Sequence, residues 1–227
     1  MSIILKNIDL GYGIKPVFKD LNLHIPKAEI TCIMGPSGCG KTSLLNLINR
    51  SCQPDQGKVI AHHVVLSQIF QESRLLPWKT ALGNIKLVLK GVYEKRKRHE
   101  IAMAYLEMTG LSEFADYYPS QLSGGMKQRV SIARAFSFPS NTILMDEPFK
   151  GLDVNSRRKL IDSFLSMWKE DKRTVIYVTH DASEIMEDVY QAVLLGPCPE
   201  GINTIFYKNE VNGTTLQQLV KKNLDKA

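Results

Sequence analysis

Eight residues, Gly35-Pro36-Ser37-Gly38-Cys39-Gly40-Lys41-Thr42, join a short apolar run at Glu29 to Met34 to a stretch with leucine and isoleucine at helical spacing, Lys41 to Asn49. A buried strand that breaks into a glycine turn and continues as a helix leaves few folds open. The eight residues match G-x-x-x-x-G-K-[ST]. Glycines at these places let the backbone wrap around phosphates and aim N–H groups at them. The first turn of the helix adds its positive end. Lys41 is expected to reach the β- and γ-phosphates of a nucleotide and Thr42 to ligate Mg²⁺, with Ser43 next in the same turn. A chance glycine turn is the plain alternative, and the strand before and helix after it speak against that.

The remaining pattern extends the same theme. Ser2 to Leu10, Leu21 to Ile25, Gly57 to Ile60 and Val64 to Phe70 read as strands. From Lys79 to about Phe138 the pattern is helical, clearest at Ala81–Leu89, Tyr93–Met108 and Met126–Phe138, with no strand signal between. Strands resume at Thr142–Met145, Thr174–Thr179 and Ala192–Leu195, with helices expected at Asn155–Lys169 and Ala182–Val189. A short amphipathic helix is expected from Thr214 to Leu224. This alternation argues for a mostly parallel sheet covered by helices. The block 79–138 reads as a helical lobe inserted into a single domain spanning 1–227.

Further chemistry lies at the strand ends. Ile143-Leu144-Met145-Asp146-Glu147 is an apolar strand ending in two acids, and carboxylates there face the crevice in which such sheets bind ligands. Asp146 can hold the Mg²⁺ shell, and Glu147 can act as general base on water. As a pair of capping acids they would mean little; beside a phosphate loop they read as catalytic. His180 ends the run Thr174–Thr179 in the equivalent position and can align the water at the γ-phosphate, or simply cap the next segment. Gln71 follows Val64–Phe70 with an amide suited to Mg²⁺ or water, a weak signal by itself. Leu122-Ser123-Gly124-Gly125-Met126 precedes a helix carrying Gln128, Arg129 and Arg134. Two glycines before a helix make a second anion-binding end. A head-to-tail dimer explains why one chain has two: each nucleotide would lie between the Lys41 loop of one copy and the Ser123 loop of the other.

Composition sets outer bounds. The chain has 227 residues, 44% hydrophobic, enough for one sizeable core. Its net charge of +6 suits nucleic acid, an anionic membrane face or plain solubility. Lys95-Arg96-Lys97-Arg98-His99 reads first as a solvated helix face and second as a headgroup contact. Cys32, Cys39, Cys52 and Cys198 form no CxxC pair, so neither zinc nor a disulfide framework is suggested, and a reducing compartment is favoured. Met1 to Gly13 does not read as a signal peptide, and no apolar run approaches a membrane span. The chain is expected to be soluble, reaching a membrane only through a partner.

Taken together, Gly35–Thr42, Gln71, Leu122 to Arg129 (LSGGMKQR), Ile143 to Pro148 (ILMDEP) and His180 resemble the ATP-binding-cassette ATPases, over nearly the whole chain. LSGGMKQR is the most specific element. The resemblance implies an α/β fold: a P-loop NTPase core with a mostly parallel sheet, a small antiparallel β part and an inserted helical lobe. It implies ATP and Mg²⁺ as ligands. Catalytic roles fall on Glu147, His180, Lys41 and Gln71, and metal ligation on Thr42, Gln71 and Asp146. Nucleotide contacts fall on Gly35, Pro36, Ser37, Gly38, Cys39, Gly40, Lys41, Thr42 and Ser43, and across a dimer on Ser123, Gly124 and Gly125. Tyr12 is the expected adenine-stacking ring, with Phe18 as alternative, and Leu152-Asp153 matches a loop at the dimer interface.

Phe70 to Trp78 (FQESRLLPW) is similar to the glutamine loop of importers for nitrate, sulfonates, taurine and thiamine-pyrimidine precursors. This implies a transport ATPase at the cytoplasmic face of the membrane, paired with a second copy and with permease subunits, and indirectly with a solute-binding protein. Leu76-Pro77-Trp78 reads as part of a permease groove, or as a turn packed inside the lobe. Nucleic acid is not an expected partner. The alternatives are a soluble cassette ATPase acting on nucleic acid or ribosomes, and an exporter ATPase. Two features depart from the family: the Gly57–Gln71 segment is short, and Lys150-Gly151 stands where small residues are usual. No regulatory domain is expected after Leu224.

Overall fold

The computed structural model describes residues 2–210 and 215–224. Two sheets face each other. In the smaller, β1 (Ile3–Tyr12) pairs antiparallel with β2 (Lys15–Ile25) on one side and β4 (Gln56–Ile60) on the other. The larger has the order β5-β6-β7-β3-β8-β9. Its strands β3 (Ile30–Met34), β5 (Leu66–Ile69), β6 (Thr142–Asp146), β7 (Thr174–Thr179) and β8 (Val189–Leu195) run parallel. At the edge, β9 (Ile202–Tyr207) is antiparallel to β8.

Central strands β3 and β7 are buried along their entire length, which is why they read as unbroken apolar runs rather than alternating ones. Each still sends successive side chains to opposite faces. Cys32, Met34, Ile143, Met145, Val175 and Tyr177 pack on one face against Phe164 and Trp168 of α5 (Val154–Glu170). Ile33, Leu144, Ile176 and Val178 pack on the other against α1 (Lys41–Ile48) and the antiparallel sheet.

A third apolar cluster unites α2 (Ala81–Val88), α3 (Lys95–Met108) and α4 (Gly124–Ser137) through Ile85, Leu106, Val130 and Ala133. On α4, Val130 and Ala133 face this helical group, whereas Ile132 and Phe136 face the sheet. The helix is therefore the wall common to both.

Two details differ from the sequence reading. The helix expected over Ala182–Val189 is only a 3₁₀ turn, Ala182–Glu184, and Val189 already belongs to β8. Side-chain bonds here divert the backbone: Thr179 Oγ1 donates to Glu184 Oε2 at 2.5 Å, and Tyr177 Oη donates to the Glu184 carbonyl at 3.1 Å. Ile185 then leaves in an extended conformation. Strand β9 carries no clear sequence signal, because an edge strand buries only part of its surface and INTIFY lacks a regular alternation. The expected terminal helix is α6 (Leu216–Leu224), with Leu216 and Val220 buried one turn apart; Thr214 lies outside the described residues. Among the described residues no helix is long and apolar enough to cross a membrane.

The parallel register positions the chemistry. Met34 pairs with Thr179, and Asp146 with Val178. The glycine loop, Glu147 and His180 therefore all begin at one edge of the sheet, the C-terminal ends of β3, β6 and β7, where ligands bind in sheets of this type.

Candidate functional site

At that edge lies a cleft of about 320 Å³. Ser37, Gly38 and Gly40 to Ser43 form its floor, and Tyr12 and Glu147 also line it. A slightly larger cleft, about 370 Å³, opens where β6 and β7 begin, at Thr142 and Thr174. It has neither glycine loop nor strand-end carboxylates, so the chemistry belongs to the first.

Gly38 and Gly40 have φ of 80° and 98°, in the region that disfavours side chains, and Gly40 caps α1. A Cβ on Gly40 would stand 2.7 Å from both Phe18 Cζ and Val17 Cγ1. Gly40→Ala should thus combine a steric clash with ~1–3 kcal/mol of backbone strain. Nucleotide affinity, measured by titration calorimetry, is expected to fall about tenfold or more; an unchanged affinity would contradict the tight packing behind the loop. Phe18 is itself buried, which leaves Tyr12, 54% exposed, as the ring open to a base. Tyr12 Oη donates to Ser43 Oγ at 3.3 Å.

The Lys41 ammonium lies inside the loop, donating to the carbonyls of Gly35 at 2.7 Å and Pro36 at 2.9 Å. Cys39 is buried, with Sγ 4.0 Å from Lys41 Nζ. The exposed Cys198 contacts the Gly38 carbonyl at 3.2 Å, a neighbour of the loop that no local pattern announces.

Burial and the adjacent charge of Glu147 push the Asp146 carboxyl up, opposed by a bond from Thr42 and by Lys41 and Lys150. Thr42 hydroxyl and Asp146 carboxylate are hard oxygen donors beside the phosphate loop, a set that suits Mg²⁺, which commonly takes one or two carboxylates together with substrate phosphates. Among the described residues no group of three His, Cys, Asp or Glu side chains could hold a metal by itself.

Glu147 has φ of 43°, unusual for a residue with a side chain. Its N–H donates to the Val178 carbonyl at 3.1 Å. Both carboxylate oxygens are engaged. His180 Nδ1 is 3.2 Å from Oε1. Lys150 Nζ is 2.7 Å from Oε2, an ion pair without the alignment of a hydrogen bond. Burial raises the carboxyl's pKa, but Lys150 and His180 together outweigh it and hold the value below the ordinary one. The group is an ionised carboxylate at neutral pH, able to accept a proton.

Other expected residues stand apart from this cleft. Ser123 caps α4, its Oγ accepting from Met126 N at 3.3 Å, and Ser123 and Gly124 are exposed. Asp153 caps α5, with Oδ1 accepting from Asn155 N and Ser156 N, both at 3.0 Å. A Cβ on Gly125 would meet Ser156 at 3.7 Å and Leu152 at 3.8 Å, so the α4 turn and the Asp153 loop are neighbours. Gln71 is exposed beyond β5 and does not line the cleft.

The helix register named Gln128 and Arg134 without giving their partners. Buried Gln128 donates to the carbonyls of Pro148 at 3.0 Å and Phe70 at 3.4 Å. Arg134 donates to the carbonyls of Ser73 and Arg74, both at 3.0 Å. These bonds tie α4 to the segments on either side of Gln71 and to the residue after Glu147.

The ABC transporter family profile matches residues 18–150. An uncharacterized ABC transporter ATP-binding protein of Methanocaldococcus jannaschii is 40% identical over 195 residues, covering 82% of this chain and 73% of the relative. An aliphatic sulfonates import ATP-binding protein of Pseudomonas savastanoi pv. phaseolicola is 36% identical over 202 residues, covering 86% and 73%. Among solved structures, a dimeric ATP-binding cassette in a post-hydrolysis state with ADP and Pi superposes with a TM-score of 0.77 at 30% identity, covering 90% of this chain and 98% of that one. The phosphate loop, the strand-end acids and the capped α4 turn thus occur in a chain that belongs to the ABC transporter family, as an ABC-type ATPase subunit.

Proposed function

We propose that this chain hydrolyses ATP as one of two identical subunits of a membrane importer for a small solute of the nitrate, sulfonate, taurine or thiamine-precursor type. One observation carries the reading: the cleft is lined by the glycine loop and Glu147, while the capped helix start at Ser123 to Gly125 does not line it and lies beside Leu152 and Ser156. A head-to-tail pair lets each copy complete the other's site. Val154, 77% exposed next to Asp153, gives that surface apolar area to bury.

In this mechanism Tyr12 stacks on adenine, a contact worth ~1–3 kcal/mol. Residues 35–43 hold the phosphates, with Lys41 exchanging its two loop carbonyls for phosphate oxygens. Thr42 and Asp146 would hold Mg²⁺, which neutralises phosphate charge when bound, and Gln71, outside the cleft of the separate subunit, would join them when the site closes. Glu147 takes a proton from the attacking water while the new P–O bond forms and the bond to the β-phosphate bridge oxygen breaks, releasing ADP and phosphate. His180 orients Glu147 through its 3.2 Å contact and faces the γ-phosphate. Ser123, Gly124, Gly125 and Asp153 of the second copy close the site.

The membrane partner docks at Leu76-Pro77-Trp78. Trp78 is 69% exposed and Pro77 exposed, which favours a partner surface over a packed turn. Fully buried Asn84 fixes this segment, accepting from Leu76 N at 2.7 Å and donating to the carbonyls of Leu76, Lys79 and Thr80. A rigid platform carrying an exposed Pro-Trp pair fits a protein interface, where aromatic anchors dominate. The helical unit 79–138 serves as the docking lobe, and the assembly sits at the cytoplasmic face of the membrane, fed by a solute-binding protein.

Purification of the tagged chain from mild-detergent membranes tests this. A stoichiometric multi-span permease is expected to accompany it, and Trp78→Ala is expected to weaken its recovery. Recovery of ribosomal or nucleic-acid material without a permease would overturn the importer reading.

A further inference from the structure

Glu147 lines the nucleotide cleft, but Lys150 does not. The lysine reaches the same carboxylate across one turn in which Lys150 N–H donates to the Glu147 carbonyl at 3.2 Å. Its ammonium sits 2.7 Å from Oε2 while His180 occupies Oε1 at 3.2 Å. A general base needs an oxygen that water can reach; here Oε2 is buried against the ammonium without a hydrogen bond, and Oε1 faces His180. We infer that Lys150 is a restraining residue, a latch that holds Glu147 out of action in the separate subunit and releases it when two copies close. This rests on the ATPase reading above.

The local geometry provides both the latch and its release. Gly151 follows with φ of 76° and open space where a Cβ would stand, so the turn can rearrange without a clash. Leu152 and Asp153, two and three residues after Lys150, form the surface beside Gly125 that faces the second copy. Pressure on that surface reaches Lys150 through a very short length of chain. The lysine side chain is 45% exposed against 16% for Glu147, so water can take over the ammonium when it leaves, whereas Glu147 remains directed into the cleft. Exposure also means that replacing Lys150 removes little packing.

The test measures steady-state ATP turnover of the isolated chain and of Lys150→Met, which keeps the length of the side chain and removes its charge. Lys150→Met is expected to raise kcat about fivefold, the scale of losing one half-exposed ion pair, with KM for ATP unchanged. Lys150→Arg restores the pair and is expected to return kcat to the parent value. An unchanged or lowered kcat in Lys150→Met would overturn the latch, as would an arginine variant that behaves like the methionine one. Glu147→Gln is the control for the underlying reading: its loss of turnover is expected with or without a latch, so turnover persisting there points to the base assignment and not to Lys150.

Discussion

Glu147→Gln is expected to slow ATP turnover by ~10²–10⁴, the usual contribution of a general base, while ATP binding stays near the parent value. Glutamine has nearly the same shape and can keep one contact to His180, but it cannot accept a proton from water. It also removes the charge that Lys150 pairs with at 2.7 Å, so only the backbone bond between the two residues still holds that turn. Closed dimers should therefore accumulate with ATP and persist, visible as a shift in size-exclusion elution that needs ATP and does not decay with time. Single-turnover kinetics gives the decisive number. Parent-like hydrolysis would mean that another group activates the water, and His180 would be the next candidate.

Ser123→Arg is expected to separate binding from turnover in the opposite sense. Ser123 is exposed and outside the cleft of its own chain, so ATP should bind each copy as before. A bulky cation at the α4 turn would obstruct the approach of the second copy, and turnover should fall by ~10²–10³, the range for removing one preorganised donor to developing charge. No ATP-dependent dimer should form, even in combination with Glu147→Gln. The lost cap to Met126 N should cost only ~1 kcal/mol of stability, so a small drop in melting temperature together with a full loss of dimer separates interface damage from unfolding. Normal turnover in this variant would remove Ser123 from the composite site.

Much of this molecule could be read from its residues, for reasons that differ by element. β3, β6 and β7 are buried on both faces, and such strands leave an unmistakable apolar run. The glycines around Lys41 are constrained by backbone angles and by Phe18 and Val17 behind Gly40, so their spacing is diagnostic. Edge strand β9 and the segment after His180 were illegible because each is defined by what it pairs with. Glu184 looks like a helix-forming residue until Thr179 and Tyr177 draw it inward. Lys150 stands out in the sequence where small residues are usual, but its attachment to Glu147 depends on the tight turn between them. Cys198 approaches Gly38 from 160 residues away, a distance across which no local pattern carries information.

The position of α4 has a mechanical consequence. Arg134 grips the two carbonyls just before Leu75, and Ser123 lies eleven residues earlier on the same rod, about 16 Å away at 1.5 Å per residue. With Val130 and Ala133 seated in one body and Ile132 and Phe136 in the other, this rod would act as a crank if one body moved against the other. Tilting it by about 10° at the Trp78 end would sweep the Ser123 end by about 3 Å, comparable to the span of a hydrogen bond. If the chain serves a permease as proposed, a movement in the membrane too small to distort either body would be large enough to make or break the seal over a phosphate.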